Sequence, residues 1–316
     1  MAPDAFYIRR PFVTTEHCGG LATLWLGHNG IPQALDDKSL TELSDALFAA
    51  ISNPTVHSIC ITNRPGPFLA GVSIAFFSER VVASTKIDEI LDFTRLANRL
   101  LEAVEQSEKR TVAWVQGAAI GAGAELALAC GEIAISKSAK FAFPETSLGI
   151  YPGMGGTQRL PRRVGVGLAK WLIYTGAILP SAQAYEIGLA NALTTDSMTS
   201  TDVLALLDSS PSAHGALSAR LEGLSDMFAS HSVEALRSAD FPGPQSMHIQ
   251  RALAQLLANA PLALRRVERV IDRGMRLSLA EGLAEEFAGL REIFSSADAL
   301  LGLRSAGGKR PTFSGH

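Results

Sequence analysis

The sequence predicts an α/β protein whose final third is helical, and three observations carry that prediction. Apolar runs of strand length (LATLWL, 21–26; VHSICIT, 56–62; TVAWV, 111–115) alternate with stretches in which apolar residues recur every three to four positions. Over 156–188 and 247–295 the helical spacing dominates and strand signals become rare. The composition is globular: 316 residues, 47% hydrophobic and 19% charged, enough for one large core or two.

Taken in order, the strand at 21–26 is followed by Leu40, Leu43 and Leu47 at helical spacing, behind the helix-starting carboxylates Asp36 and Asp37. After the strand at 56–62, Ile90, Phe93, Ala97, Leu100 and Val104 mark a longer amphipathic helix, which leads into the strand at 111–115. Gly117 and Gly121 then open a small-residue loop into the helix AGAELALAC, which Gly131 terminates, and EIAIS and KFAF read as two short strands. Residues 21–160 are expected to share one core. Residues 196–246 are rich in Ser and Ala and end in Phe-Pro-Gly-Pro, with one amphipathic segment around Leu221, Leu224, Met227 and Phe228. The expected division is therefore a core over 1–195, an inserted arm or linker over 196–246, and a helical lobe with a tail over 247–316.

The charge balance, 28 basic against 31 acidic residues, leaves −3 and gives no electrostatic basis for nucleic-acid or membrane partners. Cys18, Cys60 and Cys130 are scattered and never form a C-x-x-C pair, so neither a disulfide framework nor a zinc knuckle is indicated. The first residues, MAPDAFYIRRPFV, carry charges where a signal peptide needs an apolar run, and no uninterrupted apolar stretch of about 18 residues occurs. The expectation is a cytoplasmic protein in a reducing compartment.

Several motifs fail. Completing G-x-G-x-x-G from Gly121 or Gly153 would require glycine where Leu126 and Gln158 stand, and Gly66 and Gly71 have phosphate-loop spacing but are followed by Val72 and Ser73. No H-E-x-x-H or G-x-S-x-G occurs. What remains is two glycine-flanked turns, Pro67–Ser73 and Gly117–Ala124, and two glutamates. Small residues in such turns leave backbone N–H groups accessible, and donors at a helix N-terminus stabilise an oxyanion without a charged side chain. Tight packing of helix on strand uses small residues equally well. Glu125 lies in the first turn of its helix, where the helix dipole alone favours a carboxylate, and Glu145 follows Pro144 at a strand end. Paired carboxylates can hold one water, one accepting its proton while the other donates, if their environments separate their pKa values.

These residues resemble a known family. AAIGAGAELALAC (118–130), KFAFPETSLGIYPGMGGTQRLPRRVG (140–165) and TGAILPSAQAYEIGLANAL (175–193) look like the crotonase (enoyl-CoA hydratase/isomerase) superfamily, with weaker support from ICITNRPGPFLAGVSIAFF (59–77) and the C-terminal KRPTF. The resemblance implies a spiral of ββα repeats forming two sheets, with a C-terminal helical trimerisation region and assembly as a homotrimer or homohexamer. It implies an acyl-CoA thioester as substrate, with no separate cofactor and no metal, because CoA is part of the substrate. The thioester oxygen would lie between the backbone N–H groups of Val72 and Ala122. Val72, Ser73, Ile74, Ala75, Gly121, Gly123 and Gly153 would line the ligand, and the two catalytic glutamates of the hydratase branch fall on Glu125 and Glu145.

Hydration of a 2-enoyl-CoA to a 3-hydroxyacyl-CoA would follow, with Glu125 taking the proton of water and Glu145 protonating the α-carbon. Departures from the family pattern concern the substrate: Val72-Ser73 replaces the usual A-D after A-G and narrows the acyl pocket, Ala122 replaces a glycine, and His28-Asn29-Gly30-Ile31-Pro32 rewrites the N-R-P signature near the adenine. Three other activities compete. An enoyl-CoA isomerase needs chiefly the second carboxylate. A 3-hydroxyisobutyryl-CoA-like hydrolase is suggested by the arm sequence LEGLSDMFASHSVEALRSADF, although such enzymes lack the first glutamate. A non-catalytic acyl-CoA- or RNA-binding homologue would be favoured by loss of the glutamates. Arg265, Arg266, Arg269, Arg273 and Arg276 read as a solvated helical face, and Trp25, Trp114 and Trp171 as core.

Overall fold

A computed structural model describes residues 11–27, 34–64, 66–83, 86–195, 197–209, 215–242 and 246–315. The His28–Pro32 segment therefore lies outside the described residues. The first described elements form an antiparallel hairpin, β1 (Val13–Cys18) and β2 (Leu21–Leu26), of which the sequence pattern predicts only β2. Helix α1 (Asp37–Ser52) starts in a capping box: the Ser39 N–H donates to Asp36 Oδ1 at 2.8 Å, and the Asp36 N–H donates to the Ser39 hydroxyl at 2.7 Å. Its Leu40, Leu43 and Leu47 are buried, as their spacing predicts. Strand β3 (Ser58–Asn63), helices α2 (Ile74–Val82) and α3 (Ile87–Glu105), and strand β4 (Arg110–Val115) follow.

At Gly117, held at φ +115°, the chain changes sheets. A Cβ there would stand 2.3 Å from the Gly66 carbonyl oxygen, so only glycine permits the crossing. The expected loop over 117–124 instead contains a short strand, β5 (Ala118–Ile120), before α4 (Ala122–Ala129). Then come β6 (Glu132–Ser136), β7 (Lys140–Ala142), a 3₁₀ turn (Glu145–Leu148), α5 (Gly156–Val164), α6 (Val166–Thr175), β8 (Leu179–Pro180), α7 (Ser181–Glu186) and β9 (Ala192–Thr194). The six-stranded sheet has the order β1-β2-β3-β4-β6-β9, parallel from β2 onward, and a three-stranded sheet has the order β5-β7-β8.

The two faces of the larger sheet bury different residues because side chains alternate along a strand. Ile59, Ile61, Ala113, Val115, Ile133 and Ile135 join the main core, whereas Cys60, Val112, Trp114 and Ala134 face outward. That outer face is covered by Val203 and Leu207 of α8 (Ser200–Ser209). Helix α9 (Ala219–Ser230) is the amphipathic segment expected in the arm, and it buries Leu221, Leu224 and Phe228 in the main core against α6. A Cβ on Gly167 of α6 would stand 2.0 Å from the Ser225 carbonyl oxygen, so the two helices meet backbone to backbone.

The chain ends in α10 (Val233–Arg237), α11 (Met247–Leu257), α12 (Pro261–Gly274), α13 (Leu279–Ala288), α14 (Leu290–Phe294) and α15 (Ala297–Arg304). Leu264, Val267, Leu290 and Ile293 of these helices belong to the same apolar core as the sheets. Trp114 and Trp171 are buried; Trp25 is only half-buried, with the Arg64 guanidinium 5.3 Å above its ring.

Candidate active site

An apolar cleft opens where β3, β5 and β7 end, and its floor is made by the two glycine-flanked turns. Gly71, at φ +84°, and Val72 form one side. The Leu35 N–H donates to the Gly71 carbonyl and the Ser73 N–H to the Leu35 carbonyl, each at 2.8 Å. Because an extended backbone alternates its donors, this bridge turns the Val72 N–H away from Leu35.

Gly121 and Ala122 form the other side. Ala122 is the first residue of α4, where N–H groups have no intrahelical acceptor, and Gly121 at φ +53° brings no capping side chain. A Cβ on Gly121 would lie 3.9 Å from Gly71 Cα, so the turns approach closely. Phe77, Phe93, Ile150, Tyr151, Leu290 and Phe294 supply most of the apolar wall.

Both glutamates reach this cleft. Glu125 is buried one turn into α4, and its Oε1 accepts the N–H groups of Met154 and Gly156, each at 2.8 Å. Burial pushes its carboxyl up to about 7, against the pull of the Gly156 and Met154 amides and the Arg159 guanidinium. Arg159 also holds the loop itself: it donates to the Met154 carbonyl at 3.1 Å and pairs with Glu105 at 3.1 Å.

Glu145 begins the 3₁₀ turn after β7, and its buried Oε2 has no hydrogen-bond partner among the described residues. Its Oε1 lies over Gly121, at 2.5 Å from where a Cβ would be. Burial first, and then the charge of Glu125, hold the Glu145 carboxyl well above the usual carboxylate range. The cleft therefore combines two carboxyl groups of raised proton affinity with two turns that carry backbone donors.

Of the residues expected to line the ligand, Val72, Ile74, Gly121 and Gly153 line the cleft, as does Ala122, expected as a backbone donor. Ser73, Ala75 and Gly123 do not, for local reasons. Ser73 caps α2, accepting from the Phe76 N–H at 3.4 Å, and Ala75 faces outward on that helix. Gly123 packs against Leu69 of the Pro67–Ser73 turn, whose carbonyl oxygen would be 2.3 Å from a Cβ, so its smallness lets α4 approach that turn. The arginines of the helical face are partly paired: Arg273 with Glu285 at 2.7 Å, and Arg266 with Glu292.

Sequence reasoning passed over the Met154 and Gly156 donors to Glu125, although GMGG (153–156) is the signal for a backbone that can approach a buried group closely. It also passed over the aromatic wall, because Phe77, Phe93 and Phe294 come from three distant segments.

Comparison with known proteins gives the family. The enoyl-CoA hydratase/isomerase family model matches residues 20–222. Crotonyl-CoA hydratase of Syntrophomonas wolfei is 39% identical over 172 residues, which is 54% of this chain and 64% of that relative, so the match spans just under two thirds of its length. Mitochondrial methylglutaconyl-CoA hydratase of Mus musculus is 30% identical over 297 residues, 94% of this chain and 80% of the relative. The crystal structure of an enoyl-CoA hydratase from Rhodobacter sphaeroides superimposes with a TM-score of 0.79 at 25% identity, covering 94% of this chain and 89% of that one. By the family model, the relatives and the shared fold, the chain belongs to the enoyl-CoA hydratase/isomerase family, within the crotonase superfamily.

Proposed function

We propose that the chain hydrates 2-enoyl-CoA thioesters to 3-hydroxyacyl-CoA. The observation that carries this reading is that Glu125 and Glu145 reach the same cleft with different surroundings: Glu125 is held by two amides, whereas Glu145 Oε2 has no partner among the described residues. The thioester oxygen accepts the Val72 and Ala122 N–H groups. That polarises the carbonyl, makes the β-carbon electrophilic and stabilises the enolate-like oxygen, a contribution of about 3 to 4 kcal/mol per donor in comparable sites.

Water adds to the β-carbon. Glu125, held by two amides and Arg159 that favour its charged form, takes its proton, and Glu145, held well above the usual carboxylate range by burial and the charge of Glu125, gives a proton to the α-carbon. Because the charge on each carboxyl raises the proton affinity of the other, the pair titrates jointly and passes one proton through the cycle. The ligand is the acyl-CoA itself, with no resident cofactor in the scheme. The names of the relatives, crotonyl-CoA hydratase and methylglutaconyl-CoA hydratase, agree on hydration of a conjugated thioester and differ on the acyl group.

Exposed Met275 and Leu277, in the turn between α12 and α13, and Leu301 on α15 are apolar surface that assembly into a homotrimer or homohexamer would cover, which light scattering would measure. The reaction is tested by following loss of enoyl-thioester absorbance on crotonyl-CoA and longer 2-enoyl-CoAs, with free CoA measured in parallel. Absorbance loss without CoA release supports hydration; CoA release supports a hydrolase, and silence in both channels refutes the proposed reaction.

A further inference from the structure

The loop that delivers the Met154 and Gly156 amides to Glu125 is gripped from its other side. It enters α5 through Gly155, at φ +96°, which offers no capping side chain to the free N–H groups of the first turn. Those donors alternate between two carboxylates. Met154 and Gly156 donate to Glu125 Oε1, each at 2.8 Å. The intervening Gly155 N–H donates to Glu286 Oε1 at 2.7 Å, and the Thr157 N–H and hydroxyl donate to Glu286 Oε2 at 3.1 and 2.5 Å. Glu286 is fully buried on α13, so one short run of backbone is clamped between α4 and a C-terminal helix.

Helix α13 and the start of α14 reach the cleft twice more. The Tyr151 hydroxyl, from the cleft wall, donates to the Glu286 carbonyl at 2.6 Å. Leu290, just beyond α13, fills the space that a Cβ on Gly153 would occupy, with its Cδ2 2.9 Å from that point.

We propose that Glu286 is a positioning residue: by holding the Gly155 and Thr157 donors, it keeps the Met154 and Gly156 N–H groups aimed at Glu125 and thereby fixes the carboxylate that handles water. This rests on the role given to Glu125 above. A buried carboxyl is costly to keep, and an apolar side chain of similar size would pack there without that cost but would leave three donors unsatisfied. Burial and the charge of Glu125 push the Glu286 carboxyl up to about 8, opposed by the Thr157 hydroxyl, the Gly155 amide and Arg159. The charged and titratable groups around this cluster are Glu125, Glu145, Tyr151, Arg159, Arg266, Glu285 and Glu292.

The test compares Glu286→Gln with Glu286→Leu in the full chain. Both remove the same charge, so any difference between them reports the hydrogen bonds. Gln keeps an acceptor for the Gly155 N–H, whereas Leu keeps none. For hydration, kcat is expected to fall about 3- to 10-fold in the Gln variant and at least about 30-fold in the Leu variant, with KM within about twofold, since misplaced catalytic groups lose rate more than binding.

Carbon-13 NMR of the Glu125 carboxyl, assigned with Glu125→Gln, should show it titrating at higher pH in the Leu variant than in the Gln variant, because lost amide donors no longer favour its charged form. Equal titration and equal kcat in the two variants would overturn the proposal. Should the Leu variant fail to fold, the Gln variant decides: a kcat loss at constant KM supports the role, and wild-type kcat overturns it. The titration needs no substrate, so it judges the clamp even if the wild-type chain hydrates nothing and the proposed reaction falls.

Discussion

Glu145 lies over the bare Cα of Gly121, with its Oε1 2.5 Å from where a Cβ would be. The same glycine, at φ +53°, starts α4 and presents the Ala122 N–H to the cleft, so one residue sets both a donor and the seat of a carboxyl group. Gly121→Ala should therefore displace Glu145 and lower hydration at least about tenfold, while the strain of a side chain at φ +53°, ψ −119° costs about 1 to 3 kcal/mol of stability. Paired measurements of kcat and of unfolding in urea would check this; a stability loss with unchanged kcat would contradict it.

Glu145→Gln keeps the shape of the side chain but removes its proton. Hydration should fall at least about 100-fold, the scale of a lost general acid, with acyl-CoA affinity within about threefold. Calorimetric titration with a 3-hydroxyacyl-CoA, beside the rate assay, separates the two effects.

Hydration should depend on pH with an acid limb near neutrality. Glu125 must be ionised to accept a proton, and burial raises it to about 7, so the base form is lost as pH falls below that value. On that limb kcat/KM should drop by about tenfold per pH unit, and the limb should vanish from the residual activity of Glu125→Gln. A wild-type profile flat from pH 5 to pH 8 would contradict it.

Stability should run the other way from the usual carboxylate. Glu125 and Glu286 are raised from 4.5 to about 7 and about 8 by burial, so the folded state holds their protons more tightly than the unfolded chain does. That contribution is fully present below the unfolded value and is lost as pH rises through the folded values. Denaturant midpoints should fall between pH 5 and pH 9, by at least ~1 kcal/mol of unfolding free energy, and less steeply in Glu286→Gln.

Gly167→Ala tests how α9 is docked. The added Cβ would stand 2.0 Å from the Ser225 carbonyl oxygen, so α6 and α9 must separate. A cost of about 1 to 3 kcal/mol in urea unfolding is expected, with kcat little changed, because the contact lies outside the cleft residues.

Much of the fold was legible because it rests on local patterns. LATLWL and TVAWV are apolar enough to be buried strands, and Asp36 with Leu40, Leu43 and Leu47 is a complete helix signal. Strand β5 was not legible: its three residues, Ala118–Ile120, are too short for a period, and the change of sheet depends on Gly66 facing Gly117. Glu125 and Glu145 stood out by their place beside glycine turns and by family resemblance. Glu286 did not. In the sequence it is one acidic residue of LAEEFA, and only the packing of α13 against the start of α5 makes it a buried acceptor. Gly123 shows the ambiguity of such a signal, since a glycine that lets a helix approach a neighbouring turn looks the same in sequence as one that lets a ligand approach a backbone.

The most direct test of two-glutamate hydration is mass spectrometry of the product formed from crotonyl-CoA in oxygen-18 water. The predicted product carries one added water with the label on the β-carbon, and its formation collapses in both Glu125→Gln and Glu145→Gln. An unshifted mass with a migrated double bond, free CoA in place of a hydroxyacyl thioester, or undiminished labelling in either variant would contradict it.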